Sequence, residues 1–203
     1  MLVKICGIMN MEAAKAAVDA GADLIGFVFA ESRRRVSPEQ AAEIIESVRG
    51  RVRTVGVFVN EEIKEIKRAQ SIAGLDYIQL HGNESGEFIK ELSFPVIKAL
   101  GIGAPEDIQQ LASLETDYYL LDSPKGKYQG GNGVAIDSSL LKNNRLPAGT
   151  FILAGGLTPE NVGWAIKSVK PDGVDVSSGV ETNGSKDIDK IYRFVQNAKN
   201  ISF

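Results

Sequence analysis

The sequence predicts an α/β fold: a single closed (β/α)8 barrel of the TIM type, near the minimal size for that architecture. Three observations predict it. First, eight short β-rich runs recur along the 203 residues, at 2–6, 24–29, 52–59, 77–80, 96–99, 118–121, 150–153 and 174–176. Second, the segments between them carry apolar residues at helical spacing, such as Ala41, Ile44, Ile45 and Val48, or Val162, Ala165, Ile166 and Val169. Third, punctuation repeats. Helix starts carry proline in Ser37-Pro38-Glu39, Ala104-Pro105-Glu106 and Thr158-Pro159-Glu160, where proline suits the first helical position and Ser or Thr caps. A helix-to-strand turn recurs as Gly21-Ala22-Asp23, Gly74-Leu75-Asp76 and Pro171-Asp172-Gly173. Eight units of roughly 25 residues fit the closed barrel, whereas the rival doubly wound open sheet usually has about five or six strands.

The totals agree with one domain spanning 1–203. A chain with 43% hydrophobic and 24% charged residues is long enough to bury a sizeable core, and a second domain would have to be very small. A net charge of -3 and a pI near 5.4 offer no clustered positive surface for nucleic acid or an anionic membrane, so the expected partner is a small solute. Cys6 is the only cysteine, which rules out an intramolecular disulfide and suits a reducing compartment. Met1, Leu2, Val3 and Lys4 lead straight into the first strand without a long apolar stretch, and a cytoplasmic location is expected. For the oligomeric state a monomer is expected, with a homodimer as the alternative.

In a (β/α)8 barrel the reactive side chains sit at the C-terminal ends of the strands and in the loops that follow. Ala154-Gly155-Gly156-Leu157 follows the seventh strand and Ser177-Ser178-Gly179-Val180 the eighth. Either run alone reads as a chain turn. Together they fall where barrels commonly bind phosphate, with glycine N–H groups open to close approach and a short helix starting at Ser178 or Gly179. Cys6 ends the first strand; a lone thiol is often a small buried hydrophobe, but alternation puts Lys4 on its face, and an ammonium lowers a thiol pKa. Asp122 ends the sixth strand, placed either for general acid work or to accept turn N–H groups. The glycine-rich run at 127–133 that follows suits a loop closing over a ligand.

Arg33, Arg34 and Arg35 follow the second strand and suit an anionic ligand, without the pattern choosing among them. His81, the only histidine, cannot form a histidine-based metal site and suits a hydrogen-bonding role; no metal or organic cofactor is expected. Trp164, inside a helical pattern, reads as a packing residue.

These runs, taken together, resemble the phosphoribosylanthranilate isomerase family over nearly the whole chain. The likeness rests on Lys4-Ile5-Cys6-Gly7-Ile8, Gly26-Phe27-Val28-Phe29, the stretch 32–37, Val55-Gly56-Val57-Phe58-Val59-Asn60 and Gln79-Leu80-His81-Gly82. It continues through Leu120-Leu121-Asp122, Ala154-Gly155-Gly156-Leu157, Pro159-Glu160-Asn161-Val162 and Asp175-Val176-Ser177-Ser178-Gly179-Val180-Glu181. The resemblance implies rearrangement of the aminoaldose phosphoribosylanthranilate to an aminoketose in tryptophan biosynthesis. It makes Cys6 the general base, Asp122 the general acid and Arg34 the group that holds the anthranilate carboxylate. It implies no cofactor, since the substrate nitrogen is the electron sink. Three positions depart from the family pattern: Met9 and Asn132 stand where threonine is usual, and Ser138 follows Asp137 where tryptophan is usual.

In a closed barrel the first strand adjoins the eighth, so Lys4 and Asp175 are expected to pair inside it, with Lys98 facing the same interior. Rival readings are another phosphate-binding barrel enzyme, such as an epimerase, a synthase or a bifunctional isomerase, and a non-catalytic barrel that binds a phosphorylated ligand.

Overall fold

The computed structural model describes residues 1–111, 114, 116, 118–123 and 149–201. Eight parallel strands close into a barrel in chain order: β1 (Leu2–Cys6), β2 (Leu24–Val28), β3 (Arg53–Phe58), β4 (Tyr77–Leu80), β5 (Val96–Gly101), β6 (Tyr118–Asp122), β7 (Thr150–Leu153) and β8 (Gly173–Val176). The ring closes through β1 and β8, with Lys4 in register with Asp175. Seven helices are present among the described residues: α1 (Met11–Ala20), α2 (Pro38–Glu46), α3 (Ile63–Ala73), α4 (Gly86–Leu92), α5 (Pro105–Leu111), α6 (Val162–Val169) and α7 (Ile188–Lys199). A short hairpin of β9 (Glu181–Thr182) and β10 (Ser185–Lys186) follows β8 through a 3-10 turn, Ser178–Val180. The glycine-rich run at 127–133, together with Asp137 and Ser138, lies outside the described residues.

Strand alternation divides the apolar residues into two layers. Leu24, Val55, Ile97, Ala99, Leu120, Ile152 and Ala154 fill the barrel, with Tyr77 and Tyr118 packed against them. The odd-phase partners, among them Ile5, Ile25, Phe27, Leu121 and Val174, face the helices and meet residues such as Ala17, Ile45, Ile66 and Phe194. Ile97 and Ala99 occupy the interior, so Lys98 between them does not share it with Lys4 as expected. Its ammonium instead donates to Glu84 Oε2 at 2.6 Å and to the Gly82 carbonyl at 2.7 Å, tying β5 to the loop after β4.

The repeated helix-to-strand turn is a physical unit. Asp23, Asp76 and Asp172 each accept, through Oδ2, the backbone N–H of a residue starting the preceding strand: Val3 at 2.8 Å, Thr54 at 2.8 Å and Phe151 at 2.9 Å. Each also returns its own N–H to that residue's carbonyl. Helix α2 starts at Pro38 behind Ser37, whose hydroxyl accepts from Gln40 N–H while the Gln40 side chain accepts from Ser37 N–H, a reciprocal cap. Helix α6 differs, starting at Val162 rather than at Pro159. Thr158 donates its N–H to Asn161 Oδ1 and receives Glu160 N–H on its hydroxyl, which makes 158–161 a separate turn. On α6, Val162, Ala165 and Ile166 face the barrel, which turns Trp164 outward; it is 64% exposed and does no core packing.

Candidate active site

The structure brings the ends of β1, β2, β4, β6, β7 and β8 to one end of the barrel. Cys6 and Lys4 point inward from β1. The Lys4 ammonium is fully buried and donates to Asp175 Oδ1 at 2.9 Å, the pairing expected from strand order. Burial works against that ammonium, but the Asp175 carboxylate, followed by Cys6, outweighs it and holds Lys4 above its ordinary pKa. Cys6 differs from the expectation. Burial pushes its thiol up, Lys4 pulls it down, Asp175 pushes it up again and Lys186 pulls it down, and the sum lies above the ordinary thiol value. Lys4 therefore stabilises a Cys6 thiolate without making it the resting form.

Asp122 is buried at the end of β6 and its two oxygens face different groups. Oδ1 accepts the Ser123 N–H at 2.7 Å and the Ser123 hydroxyl at 3.2 Å. Oδ2 lies 3.4 Å from His81 Nε2. The turn contacts of this carboxylate thus fall on Oδ1, and Oδ2 is left facing the histidine. Gln79, one strand repeat before His81, places Nε2 3.2 Å from His81 Nδ1 and fixes the ring from behind. Its Oε1 is, among the described residues, a buried side-chain atom without a partner. Gly155 has a positive φ of 82° and lies against this carboxylate: a Cβ there would fall 2.5 Å from Ser123 N and 3.0 Å from Asp122 Oδ1.

The two glycine runs meet. A Cβ on Gly179 would fall 1.8 Å from the Leu157 carbonyl oxygen, so the turn after β8 is seated directly on the loop after β7. Asn161 secures that loop by donating Nδ2–H to the Gly156 carbonyl at 2.8 Å. The expected short helix is the 3-10 turn, which begins at Ser178.

Of the three arginines, Arg34 is the one drawn into the site; its side chain is 14% exposed against 60% for Arg33. Its Nε and Nη2 donate to the two oxygens of Glu181, at 2.6 and 3.0 Å. Lys186 donates to Glu181 Oε1 and to the Ser177 carbonyl, both at 2.8 Å. Burial acts to raise the Glu181 carboxyl, but the Arg34 hydrogen bond and the Lys186 charge prevail and bring its pKa down to about 2. Burial presses Lys186 below its ordinary value despite Glu181. Sequence reasoning did not single out Glu181, Lys186 or Gln79. Only Gln79 carried a signal, since its i, i+2 spacing from His81 puts both on one strand face. Met9 is partly buried against the outer core. Among the described residues, no three His, Cys, Asp or Glu side chains gather as a metal site.

Fold and site together define a (β/α)8-barrel enzyme class in which a thiol, a carboxylate and a guanidinium converge at the end where two glycine turns join. The chain belongs to the N-(5'-phosphoribosyl)anthranilate isomerase family, whose family model matches residues 3–197. The N-(5'-phosphoribosyl)anthranilate isomerase of Bacillus cereus (strain AH820) is 48% identical over 204 residues, covering 100% of both chains. Monomers generated from the dimeric phosphoribosylanthranilate isomerase of Thermotoga maritima superpose with a TM-score of 0.87 at 41% identity, over 99% of this chain and 100% of that one. A phosphoribosylanthranilate isomerase crystallised with reduced 1-(o-carboxyphenylamino)-1-deoxyribulose 5-phosphate gives 0.82 at 39% identity, over 99% of this chain and 100% of that one.

Proposed function

We propose that this chain converts N-(5'-phosphoribosyl)anthranilate to 1-(o-carboxyphenylamino)-1-deoxyribulose 5-phosphate, the isomerisation of tryptophan biosynthesis, by general acid–base catalysis with Asp122 and Cys6. The observation that carries the reading is the full-length family match joined to a barrel end that holds both groups. Asp122 donates a proton from Oδ2, the oxygen that Ser123 leaves to the His81 side, to the ribose ring oxygen. The ring opens to a Schiff base. Cys6 thiolate takes the C2 proton, and the electrons move to the substrate nitrogen to form the enolamine, which tautomerises to the ketone. Lys4 lies beside the thiolate charge, Asp175 holds Lys4 in place, and His81 orients Asp122.

The phosphate is assigned to Gly155, Gly156, Ser177, Ser178 and Gly179, where two turns present backbone N–H groups at close range. Arg34 takes the anthranilate carboxylate. The barrel acts in the cytoplasm as a monomer, with a homodimer as the alternative; among the described residues the exposed large apolar side chains are Met1, Met11, Ile72 and Trp164, none adjacent to another in the chain. The test is the loss of anthranilate fluorescence from freshly made phosphoribosylanthranilate, with Cys6→Ala and Asp122→Ala alongside wild type. Conversion that each substitution lowers by at least about 10²-fold in folded protein is expected. No conversion by the reduced wild-type enzyme would sink the assignment.

A further inference from the structure

Arg34 and the turn after β8 are far apart in sequence, yet one carboxylate joins them. Glu181 engages Arg34 through two parallel hydrogen bonds on the Nε edge, which fixes the guanidinium plane as well as its position. The same carboxylate receives Lys186, whose ammonium also holds the Ser177 carbonyl at the head of the phosphate turn. Arg33 Nη2 adds a bond to Glu181 Oε2 at 2.7 Å from the exposed side, and Lys190 donates to the Glu181 carbonyl at 2.8 Å. Glu181 and Lys186 side chains are only 5% and 2% exposed.

Buried ion clusters are poor devices for stability alone, because desolvation offsets most of the attraction. Here the balance is also uneven: one carboxylate faces Arg34 and Lys186, leaving a positive excess that suits an incoming anion. A guanidinium has five N–H donors, and Glu181 uses one edge, so the terminal Nη1 and Nη2 edge remains for a second carboxylate.

We propose that Glu181 is a positioning residue that sets Arg34 for the carboxylate of the substrate, and that the β9–β10 hairpin thereby fixes the spacing between the carboxylate and phosphate subsites. The enzyme so built selects substrates that carry both anions at that spacing. This rests on the assignment of the anthranilate carboxylate to Arg34.

Two probes test it: reduced 1-(o-carboxyphenylamino)-1-deoxyribulose 5-phosphate and the same compound without the ring carboxyl. Calorimetric titration would compare wild type, Glu181→Gln, Arg34→Met and the double variant. Glu181→Gln is expected to weaken binding of the carboxylate probe on the order of ten- to a hundredfold while changing the other probe by no more than about twofold. Added to Arg34→Met, it should change the preference no further. Glu181→Asp, which keeps the charge, should recover part of the preference. Equal weakening of both probes, or an unchanged preference, would overturn the proposal, and a purely structural loss of fold moves both probes together. Tighter binding by Glu181→Gln would also overturn it, since Glu181 would then be a competitor for the carboxylate position. If Arg34→Met keeps the wild-type preference, the Arg34 assignment itself fails, a result distinct from failure at Glu181.

Discussion

Cys6 sits between two lysines and an aspartate, and its reactivity is a contest between burial and charge. Because burial wins and the thiol stays above its ordinary value of 9.0, the base limb of kcat/KM should lie above pH 9. Removing Lys4 alone would strand Asp175 as a buried charge, a loss of about 3–5 kcal/mol in stability, so the useful variant is Lys4→Met with Asp175→Asn. Lys4 lowers the thiol pKa by more than Asp175 raises it, so the pair substitution should move the limb to still higher pH. A pH profile that stays in place would show that Lys4 does not act on the thiol. Cys6→Ala and Asp122→Asn should each lower kcat by about 10²–10⁴ with little change in KM, measured by anthranilate fluorescence. The Lys4–Asp175 pair was legible because alternation and barrel closure leave it one geometry. Lys98 was misplaced because the strands of a parallel barrel are apolar on both faces, and Val96-Ile97-Lys98-Ala99 does not declare its phase. Glu181 was illegible because Arg34, 147 residues away in the chain, reaches it only through the closed fold, and because the hairpin that pairs it with Lys186 is only two residues long on each strand.

Turns, more than strands, place this site. The eight strands and most helices were legible because periodicity and proline signals are local, with strand ends shifting by a residue or two. The start of α6 was not legible from Thr158-Pro159-Glu160, since Asn161 uses its side chain to bind Thr158 N–H and the Gly156 carbonyl and so spends the first turn holding the loop after β7. The glycine turns read as candidates for a phosphate, but their contact with each other was not legible. Gly179 is the point of contact, and Gly179→Ala tests it. A methyl group there meets the Leu157 backbone carbonyl at 1.8 Å, a group that cannot rotate away, so the two turns must separate. The expected result is a rise in KM of at least about tenfold and a loss of about 1–3 kcal/mol in stability by urea unfolding. An unchanged KM would remove Gly179 from the proposed phosphate site.

At the scale of the whole barrel, buried charges join the first strand to the last and the β2 loop to the closing hairpin, which makes stability depend on pH at both extremes. On the alkaline side, Cys6 and Lys4 both have raised values, so their contributions are complete below their ordinary values of 9.0 and 10.5 and are lost as pH rises through the folded ones. Lys186 has a lowered value and opposes this trend. On the acid side, Glu181 falls from 4.5 to about 2, so its contribution is complete above pH 4.5 and is lost as pH falls toward 2. A shift of that size corresponds to about 3 kcal/mol before solvent screening, which discounts it to about 1–2 kcal/mol. Glu181→Gln should therefore be less stable than wild type by roughly that amount at neutral pH, and the two urea unfolding curves should converge as pH approaches 2. A gap that persists unchanged down to that pH would mean that the side chain stabilises the barrel by packing rather than by charge. The carboxylate would then not be the link that ties the β2 loop to the hairpin.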